Sequence, residues 1–97
     1  MRPTTETVVT VITDPIADEE SRHVLRSLRG FVAAQGSPFV DGTPTGSRSV
    51  FRLDHADLAG GGLDARIDTL TSRGIAVHRV LGEHPAVDAA NSRLGYV

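Results

Sequence analysis

The sequence predicts an α+β domain, a ferredoxin-like βαββαβ two-layer sandwich with an extra C-terminal helix. Three observations carry the prediction. Residues 49–81 read strand, glycine-rich loop, helix, strand. An earlier strand and helix, TVVTVI and residues 15–35, repeat that grammar. Phe39-Val40, followed by a turn-rich segment, supplies a short strand between the halves. This order folds economically as one sheet in order 4-1-3-2 with two helices on one face. The alternative, a small α/β parallel three-stranded sheet, follows if the short strand does not form.

The stretch from Ser49 to Leu81 is the most legible. Phe51 and Leu53 alternate with Arg52 and Asp54, as in a half-buried strand. Gly60, Gly61 and Gly62 then interrupt regular structure, so His55 to Gly62 reads as a loop. Leu63, Ile67 and Leu70 recur at helical spacing, and Gly74 stands where a left-handed cap belongs. Ile75, Val77 and Leu81 alternate with Ala76, His78 and Val80, a strand covered on both faces. A strand, helix and strand joined this closely form a right-handed crossover with parallel strands.

The rest follows in order. Met1 to Glu6 is polar and predicted to fray. Thr7 to Ile12 is dense in β-branched residues and apolar on both faces, which suits a central strand. Asp14-Pro15 reads as a helix start, and Val24, Leu25, Leu28, Phe31 and Val32 extend a helical pattern. Gly30 can bend or end that helix, and Gly36 is its expected stop. Residues 41–46 are turn-forming and predict a loose hairpin between Phe39-Val40 and the strand near Ser49. His84 to Leu94 predicts the terminal helix, with Val87, Ala90 and Leu94 inward. Val9, Val11, Leu25, Leu28, Phe51, Leu53, Ile67, Leu70 and Val77 are the expected core. The sheet face away from the helices is expected to expose Val50, Val80 or Ala76.

Composition bounds the function. Ninety-seven residues suit a single domain, 1–97. A net charge of −2 gives no electrostatic case for nucleic acid or an anionic membrane. No apolar run reaches the length of a membrane span, and a cytoplasmic location is expected. The absence of cysteine excludes disulfides and thiolate zinc sites. All ten basic side chains are arginine, so lysine chemistry is excluded as well.

Candidate chemistry gathers at strand exits. Gly60-Gly61-Gly62-Leu63-Asp64-Ala65 fits G-x-G-x-x-A before a helix, with Glu83 further on. The five residues between Asp54 and Gly60 separate this loop from the strand, unlike a dinucleotide fingerprint. A flexible loop, or an anion site, fits better. Arg22, Arg26 and Arg29 share a helix face opposite acidic residues and read as a solvated face. In the 4-1-3-2 order, His55 and Asp57 leave one strand while Glu83 and His84 leave another at the same sheet edge. Two imidazoles and two carboxylates suit zinc or acid–base work.

The order VVTVITDP, helix, RSVFRLD, helix, GIAVHRV resembles an ACT-type regulatory module, although Ile16-Ala17 stand where such modules carry a glycine. FRLDHAD followed by LDARIDTLTSRGIAV resembles the strand–helix step of vicinal-oxygen-chelate proteins.

The functional expectation is a non-catalytic binding module, a homodimer that recognises a small polar ligand or a protein partner. The expected ligand-binding residues are His55, Asp57, Gly60, Gly61, Gly62, Glu83 and His84, with no cofactor. Two alternatives remain: a small metal-binding protein or enzyme using His55 and its carboxylate neighbours, and a monomeric protein inhibitor.

Overall fold

The computed structural model of the chain describes residues 6–16, 18–35, 39–40, 43–44 and 46–95. The main elements are β1 (Glu6–Thr13), α1 (Glu19–Ser27), β2 (Phe31–Gln35), β5 (Ser47–Asp54), α2 (His55–Ala59), α3 (Gly62–Ser72), β6 (Val77–Leu81) and α4 (Pro85–Arg93). Two short strands, β3 (Phe39–Val40) and β4 (Thr43–Pro44), form a separate antiparallel ladder between β2 and β5.

The four-stranded sheet runs β2-β5-β1-β6, with every neighbouring pair antiparallel. β5 and β6 are therefore parallel to each other with β1 between them. Counting the four sheet strands along the chain, this is the expected 4-1-3-2 order. The architecture is α+β, and the parallel three-stranded alternative is set aside by the antiparallel register.

Alternation sorts the sheet faces. Val9 and Val11 of β1 and Phe51 and Leu53 of β5 point inward and are at most 1% exposed. They meet Leu25 of α1, Leu58 of α2, Leu63, Ile67 and Leu70 of α3, and Val87 and Ala90 of α4 in one cluster. All four helices thus contribute to the same layer. Of the expected core, Leu28 is half-buried at its margin and the others are buried.

The first helix is shorter than its pattern predicts. Asp14 does not cap it: its amide donates to the Ala76 carbonyl, and its carboxylate meets His78 Nε2 at 2.5 Å. Asp18 is the N-cap, accepting the Ser21 amide at 2.9 Å. The helix gives way at Leu28, whose backbone is extended (ψ 136°). Gly30 then turns the chain with φ +85°, where a Cβ would lie 2.5 Å from the Arg52 carbonyl. Only glycine suits both demands. The expected stop, Gly36, lies outside the described residues, as does Met1 to Thr5 of the expected frayed terminus.

Phe31–Gln35 is consequently an edge strand, paired with β5. Its helical spacing arises because Phe31 serves the core from a strand, edge-to-face with Phe51 at 5.8 Å. Phe39-Val40 pairs with Thr43-Pro44 and not with the strand at Ser47. Of the predicted turn, Asp41, Gly42 and Thr45 lie outside the described residues.

β6 also departs from uniform alternation. Its register against β1 shifts between Ile12 and Thr13. The bulge lets Val77 and Val80 both face the core, so Val80 is 1% exposed instead of lying on the open face.

Candidate functional site

The exits of β5 and β6 lie at one edge of the sheet; β5 leads directly into α2, and β6 reaches α4 through Gly82, Glu83 and His84. Asp54 ends β5 and caps α2, accepting the Asp57 amide at 2.6 Å. The segment expected as a loop from His55 is therefore helical through Ala59, because the acid at the strand end supplies its cap. His84 caps α4 through Nδ1, which accepts the Ala86 amide at 3.0 Å, with Pro85 in the first turn.

This geometry brings His55 and His84 together. Their rings are edge-to-face with centroids 5.3 Å apart, and His84 Nε2 lies 3.3 Å from His55 Nδ1. The bonds fix the neutral tautomers. A backbone amide can only donate, so His84 Nδ1 is an acceptor and its proton sits on Nε2. That proton faces His55 Nδ1, which leaves the His55 proton on Nε2. His55 is exposed and His84 half-buried, so the outward chemistry of the pair is one N–H donor on His55.

Asp57 is engaged elsewhere. Its carboxylate meets Arg66 Nη2 at 2.8 Å. Arg66 is 6% exposed. Its Nε and Nη2 also donate to the Arg29 carbonyl at 2.9 and 2.7 Å, and Nη1 donates to the Gly62 carbonyl at 2.7 Å. This guanidinium ties α3 to α2 and to the turn before β2. Gly60 and Gly61 join α2 to α3, with Gly61 at φ +82°. Gly62 packs against Asp57 so closely that a Cβ would collide with its carboxylate. Asp57, Gly62 and Arg66 line an open cavity of about 290 Å³ with Leu28, Arg29, Ala65 and Thr69.

Glu83 is exposed and stands apart from Asp57. With Glu6, Thr7, Val8 and Gly82 it lines another open cavity, of about 400 Å³. The sheet edge thus joins the two imidazoles and leaves the carboxylates separate. Among the described residues, no three histidine or carboxylate side chains converge on a point that could hold a metal ion.

The sequence pattern does not reveal the role of Arg66, although it lies in the stripe formed by Leu63, Ile67 and Leu70; a charge in an apolar stripe is the available signal. The open sheet face is expected from the sequence, and the structure places its residues. Leu81, Thr10, Val50 and Ala33 form a row across its four strands. Arg52 lies beside Val8, while Arg48, Ile12 and Arg79 lie in the next row on the opposite side.

Comparison with protein-family models, curated proteins and solved structures gives no match. No helix among the described residues is long and apolar enough to cross a membrane.

Proposed function

We propose that the chain is a small non-catalytic binding module whose working surface is the open face of its sheet, and that it pairs with a second copy across that face. The observation that carries this reading is where apolar surface remains. Val8 is 54% exposed, Val32 48% and Leu81 38%, and all three belong to sheet strands. Val8 and Leu81 point away from the helices, beside the half-buried Thr10, Ile12 and Val50. A two-layer fold covers one face of its sheet, and contiguous apolar surface on the other favours a partner. A two-fold partner offers the same row of residues, so apolar surface meets apolar surface.

Light scattering at micromolar concentration tests the pairing. A mass near twice 10.3 kDa is expected, with Val8→Glu dissociating the pair while leaving the circular dichroism intact. A wild-type mass near 10.3 kDa would reject self-pairing and favour a monomer that docks a different protein, as an inhibitor does.

The contact between His55 and His84 supports a second reading, metal binding or acid–base chemistry at the sheet edge. Its tautomers weigh against that reading, since His84 has no free lone pair and His55 presents a donor.

A further inference from the structure

We infer that the open sheet face binds an oxyanion-bearing ligand, a carboxylate or phosphate compound, through Arg48 and Arg52; this rests on the reading of that face as the working surface. Both arginines are exposed and project from β5 on the side away from the helices, with Val50 between them. Four residues of strand separate their Cα atoms by about 13 Å at the usual rise. Their flexible stems allow both guanidiniums to lean over Val50 and share one ligand.

The charge arrangement distinguishes them from the paired arginines of the helical layer, although Arg29, in the turn after α1, also has no ion-pair partner among the described residues. Arg22, Arg26, Arg66, Arg73 and Arg93 each have a carboxylate within 4 Å: Glu19, Glu19, Asp57, Glu20, and Asp64 with Asp68 respectively. Arg48 and Arg52 have no ion-pair partner among the described residues. Two acids flank Arg52 on this face, Glu6 diagonally across on β1 and Asp54 two residues along β5, but neither forms an ion pair with it, and Asp54 is engaged in capping α2. Arg79 lies across Ile12 from Arg48.

A second copy laid over this face would bring its own arginines as well as the Glu6 and Asp54 pair at one end of the face. Guanidiniums withdrawn from water without an acceptor are costly, so Arg48 and Arg52, which no described carboxylate meets, favour an anion. Carboxylate and phosphate oxygens match the planar donor fork of arginine. Val50, Thr10 and Leu81 would contact the apolar body of such a ligand.

The test is calorimetric titration with pyrophosphate and, separately, with citrate, at ionic strength matched by sodium chloride. The two arms distinguish phosphate from carboxylate recognition. Wild type should bind at least one of them saturably. Arg48→Gln and Arg52→Gln should each weaken binding about tenfold or more, the loss of a charge-assisted contact. Arg26→Gln, which removes the same charge from α1, should leave binding unchanged. No binding by wild type, or equal weakening in all three variants, overturns the inference. Melting curves establish that each variant is folded. Light scattering on the same samples keeps the two proposals apart. A dimer that binds neither anion retains the pairing and loses the anion site. A monomer that binds through Arg48 and Arg52 retains the anion site on a single face and loses the pairing.

Discussion

His84 donates from Nε2 toward Nδ1 of His55 across 3.3 Å, while its own Nδ1 accepts the Ala86 amide at 3.0 Å. Both nitrogens of one ring are therefore engaged, and the pair links the first turns of α2 and α4. A metal ion at His84 Nε2 would require the ring proton to move to Nδ1. That move gives up the helix cap, a loss of about 1 kcal/mol. Zinc titration of wild type by calorimetry should accordingly show no submicromolar binding. Tight binding that His55→Ala abolishes would show that the cap yields to the metal. His84→Asn should retain most of the cap, whereas His84→Ala should lose about 1 kcal/mol in denaturant unfolding.

The Arg66–Asp57 pair should matter more than any surface ion pair of this chain. Its side chains are 8% and 22% exposed, and Arg66 also satisfies two backbone carbonyls. Asp57→Ala leaves the guanidinium without its charge partner and should cost about 3 kcal/mol. By contrast, Arg26→Ala, which breaks a contact between exposed groups, should cost less than about 1 kcal/mol. Equal midpoints for the two variants would show that Arg66 is not anchored by Asp57. Gly62→Ala should also destabilise, because its Cβ meets the Asp57 carboxylate. Combined with Asp57→Ala it should cost less than the sum, with partial relief only, since the Asp57 carbonyl remains close.

Two inward positions should respond in opposite ways. Leu70 is 0% exposed at the centre of the α3 stripe, and Leu70→Ala should cost about 2–5 kcal/mol. Ser49 is also 0% exposed, but its hydroxyl has no hydrogen-bond partner among the described residues. Ser49→Ala removes an unsatisfied polar atom and should leave stability unchanged or raise it by about 1 kcal/mol. Thermal melts of both variants test the orientation of the sheet. A loss at Ser49 comparable to that at Leu70 would reveal a partner for its hydroxyl.

The parts legible in the sequence were those with a single period. The β5–α3–β6 grammar, the central place of β1 and the α4 stripe all follow from alternation or helical spacing that one element imposes. Phe31 misled because a core residue at the start of β2 falls at the same spacing as a further helical turn after Leu28. Val80 misled because a bulge changes parity without leaving a glycine or proline to mark it. At the sheet edge, the meeting of His55 and His84 followed from topology. The separation of Asp57 from them did not, because it depends on Arg66, nine residues away across the turn between helices. Arg48 and Arg52 stood in plain alternation, but their lack of partners emerges only once the positions of the carboxylates are known.

Asp18 makes the start of α1 sensitive to acid. The Ser21 side chain and then its amide hydrogen-bond the Asp18 carboxylate and hold its pKa below the usual value. Ionised Asp18 also faces the positive end of the α1 dipole. A carboxyl group whose pKa falls on folding binds more protons in the unfolded chain, so stability rises with pH across its titration. The contribution is fully present above the ordinary aspartate range and is lost as pH falls through the depressed folded value. Asp18→Asn keeps a good cap but removes the titration. Relative to this variant, wild type should gain stability as pH rises from about 2 to about 5 and show a constant difference above that. Unfolding by urea at several pH values measures the effect, and the Ser21 amide resonance should follow the same titration. A wild-type advantage that grows as pH falls would contradict the depressed pKa, and an Asp18→Asn profile parallel to wild type would show that other carboxylates govern the acid transition.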